Sequence, residues 1–262
     1  ATEAFVIIAA LQGIGAMMEI FLVLTFLFCI GSMTGWCIEL IFRRLVHKKW
    51  INPGFLVGPY LPLYGIGLLF LFGVCSIDYS FIENKILRDI FVIALITVLM
   101  TLVEYITGLI FIKGMKVKLW DYSDRKGNIQ GIICPLFTLF WGILGAVYYF
   151  FVHKAILGMV NWFTANIMYS FIIGMFFGVF VLDNIYSFKL VAKIKKFAKE
   201  KEIVVKYETL KLSIREKANE FKQRVHYIFP LRSANGLEKE LDTYYNEHGV
   251  ADLKKKAEKK KA

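Results

Sequence analysis

Five apolar runs, 20–42, 55–77, 90–112, 131–152 and 163–182, fill most of the first 182 residues, and polar stretches separate them. About 20 apolar residues in a helix cross the hydrocarbon core of a bilayer. Each run reaches that length, and the only charged residues inside them are Glu39 and Glu104. The pattern predicts an all-α fold, a polytopic membrane bundle of five transmembrane helices. After Phe188 the pattern changes. Tyr207, Leu210, Ile214, Ala218, Phe221, Val225 and Ile228 recur every three or four residues, which is one face of an amphipathic helix. Pro230 marks its expected end, Asn235-Gly236 reads as a turn, and KKKAEKKK (254–261) reads as a solvated charge run. The chain therefore divides into an N-terminal segment 1–18, a bundle 19–187 and a basic helical tail 188–262. Residues 1–18 are apolar but lack the basic start and small-residue cleavage site of a signal peptide. They read as an interfacial segment or a vector-derived extension.

Composition agrees with a membrane protein: 57% hydrophobic residues and a mean hydropathy of +0.56, against about 45–50% apolar in soluble domains. The formal net charge is +11, and residues 188–262 hold 20 of the 32 basic and 11 of the 21 acidic side chains, a net +9. Beside membrane helices, anionic lipid headgroups are the expected partner of that tail rather than nucleic acid. Basic residues also crowd the segment after the first run (Arg43, Arg44, Lys48, Lys49) and after the third (Lys113, Lys116, Lys118, Arg125, Lys126). The second and fourth connections are poor in them. The positive-inside rule then places the N-terminus outside and the tail in the cytoplasm of a multi-pass cell-membrane protein.

The chain also resembles itself. The stretch 54–65, GFLVGPYLPLYG, aligns without gaps on 131–142, GIICPLFTLFWG, and brings Tyr64 onto Trp141. Each half has an acid in its first helix, then a tryptophan, an asparagine and a second apolar run. This predicts two helix-pair repeats, related by an axis along the membrane normal, with the fifth helix outside them. Gly174-x-x-x-Gly178 in that helix and Gly31-x-x-x-Gly35 in the first are small-residue pairs that permit close helix approach, within the bundle or in a homodimer.

Glu39 lies four residues before Arg43, and Glu104 lies nine before Lys113, about 6 and 13 Å along a helix. An acid at membrane depth costs about 2.5–3.5 kcal/mol and should face protein or water. Both are candidate substrate-binding acids between the halves, for a cation, protons or a polar headgroup. For Glu39 the competing reading is an i,i+4 pair with Arg43, and for Glu104 a hydrogen-bonded structural acid. Asn52 and Asn128, at matching places in the repeat, and Trp120 and Asp121, in the second basic connection, complete the candidate binding set. Asp121 could instead pair with the arginines of the first basic connection. Pro53, Pro59 and Pro62, with glycines between, break the start of the second helix and free backbone carbonyls. Such backbone is tolerated at membrane depth only in protein or along a cavity. Asp183 and Asn184 read as the end of the fifth helix.

The four cysteines, all inside apolar runs and none in C-x-x-C spacing, read as small buried residues, and the four histidines show no ligand spacing. No metal or cofactor is expected. No phosphate-binding loop, H-E-x-x-H or G-x-S-x-G motif occurs, so energy from ATP would require a separate ATPase subunit. The absence of a catalytic constellation argues against an enzyme.

Gly31-Ser32, Gly35-Trp36, Glu39, residues 52–65, Glu104, Gly108, Trp120 to Ser123 and the stretch 128–142 together resemble the ABC-transporter type IV (CmpB-like) membrane proteins. The resemblance covers about 20–150. The family's usual run at the first asparagine is Asn-Arg-Gly, so Pro53 is a departure. The resemblance implies a permease and names no substrate. The expectation is a permease-like transporter with a polar site between two repeats. The alternatives are a lipid-handling or lipid-modifying protein at the cytoplasmic face and a non-catalytic scaffold working through its tail.

Overall fold

The computed structural model describes residues 2–48, 50–220 and 237–246. The elements are α1 (Thr2–His47), α2 (Pro62–Cys75), α3 (Lys85–Leu109), β1 (Val117–Lys118), α4 (Pro135–Val147), α5 (His153–Ala165), α6 (Ser170–Glu200), β2 (Val205–Lys206), α7 (Tyr207–Glu220) and α8 (Leu237–Tyr244). Wide turns extend α3 through Ile110–Met115 and join α4 to α5 through Tyr148–Val152. Among the described residues, four helical stretches are long and apolar enough to cross a membrane: Gly15–Val46, Lys85–Met115, Pro135–Ala165 and Ile167–Glu200. Their outward surfaces are apolar, as lipid requires; Phe171 is 73% exposed and Leu182 69%.

The second expected helix is shortened. α2 has 14 residues, about 21 Å at 1.5 Å per residue, below the roughly 30 Å of hydrocarbon. Pro62 starts it, where a missing N–H costs nothing. The preceding segment 51–61 is not helical, yet Ile51, Asn52, Leu56 and Tyr60 are buried.

The other boundaries move too. α1 begins at Thr2, so most of the N-terminal segment belongs to one helix with the first span. The expected connection 153–162 is helical, because no proline interrupts it, and the chain turns at Asn166 instead. Asp183 and Asn184 do not end a helix, since α6 runs through them, and through the boundary at 187–188, to Glu200. The four cysteines are free, and Cys37 is exposed rather than buried.

Glycines let the helices of each pair meet. A Cβ on Gly35 would lie 2.2 Å from Tyr64 Cβ, and one on Gly65 would lie 2.3 Å from Ser32 Oγ. Neither Gly174 nor Gly178 has an atom within 4 Å of its Cβ position, so that pair plays no part in packing within the described chain. Phe26 stacks on Phe163 at 4.4 Å and anchors α5 to α1. Val92, Ile96 and Met100 of α3 share one buried cluster with Val74 of α2 and with Tyr79.

The tail builds a second small core together with the connection after α3. β1 and β2 pair in parallel, Val117 with Val205 and Lys118 with Lys206. Val117, Val191, Ile194, Val205, Tyr207, Leu210 and Leu241 are buried together. Tyr207 and Leu210 thus occupy the apolar face expected of the amphipathic helix. The continuation of that face at Phe221, Val225 and Ile228, the stop at Pro230, the turn at Asn235-Gly236 and the run 254–261 lie outside the described residues.

Candidate functional site

Glu104 sits on α3 and is 4% exposed. Its Oε1 accepts from the Tyr122 hydroxyl at 3.1 Å and its Oε2 from Trp141 Nε1 at 2.9 Å. Among the described residues no lysine or arginine pairs with it. Both donors are neutral, so the carboxyl group has partners but no counter-ion. The Tyr122 ring is held by stacking on Phe137 at 4.1 Å, and α4 carries Trp141.

Glu39 is half-buried on α1. It accepts from Arg43 Nε at 3.2 Å, the i,i+4 pair open from the sequence, and from the Tyr64 hydroxyl at 3.0 Å. Arg43, itself buried, reaches onward to Glu208 of α7. The two acids therefore have separate partners. They are linked through the rings of those partners: Tyr64 and Trp141 lie 5.6 Å apart. A row Glu39–Tyr64–Trp141–Glu104 runs across the contact between the two helix pairs.

The aligned positions of the two halves make matching contacts. Tyr64 and Trp141, aligned in sequence, both donate to the acid of their own pair. Gly65 and Gly142, also aligned, face Ser32 and Thr97, each seven residues before its acid. One turn along, Gly31 packs against Leu68 in the first pair and Ile96 against Gly145 in the second. Small and large residues have exchanged helices at this level.

The other four predicted residues serve the connections. Asn52 Nδ2 donates to the carbonyls of Leu56 at 3.0 Å and Val57 at 3.1 Å, while its Oδ1 accepts from Trp36 Nε1 at 3.0 Å and Gly54 N at 3.2 Å. Asn128 does the same in the second half, with Nδ2 on Ser123 O and Arg125 O, and Oδ1 on Gly131 N. Trp120 Nε1 donates to Ile132 O at 2.8 Å. Asp121 binds Lys118 Nζ at 2.6 Å and Lys206 Nζ at 2.9 Å, not the arginines of the first connection, because β1–β2 pairing brings those lysines side by side.

Burial alone would raise the Asp121 carboxyl, but hydrogen bonds from Lys118, Ser123 and Lys206 outweigh it and hold the group well below the usual carboxylate range. A depressed folded-state value stabilises the fold above the unfolded value of about 3.9, and the contribution is lost as pH falls towards the folded value. Asp121→Asn is expected to lower the unfolding midpoint at pH 7, and the gap to wild type should narrow as pH falls from about 5 to about 2.5, without closing there. Thermal unfolding in detergent across that range checks it; an equal gap at both ends refutes it.

Two residues emerge only in three dimensions. Asp183 of α6 accepts from Val57 N at 3.1 Å, Gly58 N at 2.7 Å, the Tyr60 hydroxyl at 2.7 Å and Ser187 Oγ at 2.8 Å. It fastens segment 51–61 to α6. Lys211 of α7, 2% exposed, donates to Asn52 O at 2.9 Å and to Gly54 O, with Nζ 4.4 Å from the Tyr207 ring centre. Burial, and Arg43 nearby, push its ammonium well below the usual lysine range, and Glu208 partly offsets them. The sequence held one hint: Lys211 stands four residues after Tyr207, on the apolar face of α7, where a charge is out of place.

Residues 26–188 match the model of the family described as "Putative ABC-transporter type IV". A comparison with curated proteins returned no match, nor did one with solved structures.

Proposed function

The chain belongs to this ABC-transporter type IV family, and from that premise we propose a permease-like membrane transport protein with its polar site at the contact between two duplicated helix pairs. The observation that carries the proposal is Glu104, an acid at membrane depth held by neutral donors alone. A buried carboxylate without a counter-ion is costly, and such residues in membrane helices belong to ion and proton pathways. In this reading Glu104 takes up a proton or cation. Glu39, neutralised in part by Arg43, stands at the other end of the aromatic row. Asn52, Asn128, Trp120 and Asp121 shape the connections that close the site. The matching contacts of Tyr64 with Trp141 and of Gly65 with Gly142 support an internal duplication.

Segment 51–61 and α2 together complete a fifth crossing, with the N-terminus outside and the tail in the cytoplasm. The family name motivates a separate ATPase subunit as the energy source. The test is ion flux into liposomes holding the full chain, read with a trapped pH-sensitive dye and under a potassium diffusion potential. Glu104→Gln is expected to slow flux at least tenfold, which corresponds to about 1.4 kcal/mol. Glu39→Gln should have a smaller effect, since Arg43 already shares its charge. Wild-type rates in both variants would remove the acids from transport. Lipid copurifying at the connections without any flux would favour the headgroup-handling alternative.

A further inference from the structure

α6 outlasts the membrane. It has 31 residues, about 46 Å at 1.5 Å per residue, against a hydrocarbon core of roughly 30 Å. Its last turns carry two opposite faces. Val191, Ile194 and Ala198 are buried in the tail core. Lys189, Lys193 and Lys196, spaced four and three apart, are exposed on the other side. Lys196 lies 4.0 Å from Glu200, an exposed pair in which both side chains are more than half in solvent, and such pairs are weak. Among the described residues neither Lys189 nor Lys193 has an acidic partner.

The exposed stripe continues towards the bundle as an apolar one. Val181 and Ile185 precede Lys189 at the same spacing of four. Phe180, Val181, Asn184, Ile185, Phe188 and Ala192 line a shallow trough of about 550 Å³ on this face, with Lys189 in its tail-side half; the Asn184 amide is turned onto the Phe180 carbonyl. One face of one helix therefore presents apolar side chains on its bundle side and, on its tail side, the cationic heads of Lys189 and Lys193 with the small Ala192 between them.

We propose that this face of α6 is a binding site for an anionic phospholipid, with an acyl chain along Val181, Ile185 and Phe188 and the phosphate on Lys189 and Lys193. Charge complementarity selects the occupant. A second protein helix would fill the apolar part but leave two ammonium groups facing its own backbone. A zwitterionic lipid would bring a cation against them. An anionic lipid satisfies both parts of the stripe, because its charge and its chain lie in that order along the membrane normal. The site is distinct from the Glu104 region and does not depend on the transport reading.

The experiment is native mass spectrometry of the full chain in detergent, titrated with phosphatidylglycerol or with phosphatidylcholine of the same chains. Wild type is expected to hold a first phosphatidylglycerol more tightly than phosphatidylcholine. The double variant Lys189→Gln with Lys193→Gln should lose at least about tenfold in that first affinity, since a lysine near an anionic surface contributes about fivefold. Ala192→Trp, which fills the trough and leaves every charge in place, should lose a comparable factor. All three positions are exposed, so unchanged melting temperatures will separate lost binding from lost fold. Equal binding of the two lipids, or full binding by the double variant, overturns the proposal. So does full binding by Ala192→Trp, which would reduce the effect to diffuse attraction by the basic tail.

Discussion

Asp183→Ala is expected to destabilise the protein by about 3–5 kcal/mol, since each buried donor left without an acceptor costs about 1–3 kcal/mol. Four groups lose their acceptor together: two backbone N–H groups of segment 51–61, the Tyr60 hydroxyl and the Ser187 hydroxyl. Ser187 is fully buried and Tyr60 is 4% exposed, so water replaces little of what is lost. The segment also has no regular hydrogen bonding to fall back on, because it lies outside any helix. Asp183→Asn keeps one acceptor oxygen and should lose roughly half as much by the same reasoning. Unfolding by denaturant in mixed micelles measures both. Limited proteolysis gives a second readout, because cleavage within 51–61 should appear in the alanine variant before global unfolding. If Asp183→Ala unfolds at the wild-type midpoint and its segment resists protease, the anchoring role is wrong.

Arg43→Met is the second large effect. The Arg43 side chain, 9% exposed, serves Glu39 on its own helix and Glu208 on α7, whose side chains are 22% and 26% exposed. Breaking a buried pair from one side costs about 3–5 kcal/mol because a charge stays behind. Partial solvation of both acids discounts this to roughly 2–4 kcal/mol. The sign reverses on a further change. In Arg43→Met with Glu39→Gln and Glu208→Gln the stranded charges are gone, and most of the loss should return. Relief of the repulsion between Arg43 and Lys211 is common to both variants, and Glu208→Gln removes an attraction to Lys211, so the return is incomplete. Melting curves of the single and triple variants decide it. A triple variant no more stable than Arg43→Met would mean that the guanidinium acts through packing alone.

Both residues have partners far along the chain, Asp183 in segment 51–61 and Arg43 in Glu208, and no local stretch of sequence reveals such partners. Glu104 could be picked out from its surroundings in sequence, because its cost comes from the apolar residues on either side of it. Its donors could not be. Tyr122 is 18 residues on and Trp141 37, and only the packing of α3 against α4 selects them. Tyr64 and Trp141 were aligned as a pattern of residue types; that both donate to an acid required coordinates. Glu39 had its Arg43 partner in view at i,i+4, but not Glu208, 165 residues beyond Arg43. Asp183 stood at the end of an apolar run, where helix termination was a sufficient local explanation. Its real partners, Val57 to Tyr60, are more than 120 residues earlier.

The sequence alone determined that the chain is helical and enters a membrane, because lipid solvation acts on each stretch of about 20 residues independently. It also marked the two acids in that medium and the family to which the chain belongs. Tertiary structure decided the rest: that α2 is short and leans on a buried irregular segment, that Asp183 and Lys211 grip that segment from α6 and α7, and that two rings link Glu39 to Glu104. The difference is one of range. Transfer into lipid is a property of neighbouring residues, whereas satisfying a buried carbonyl, amide or carboxylate depends on which distant element folds against it.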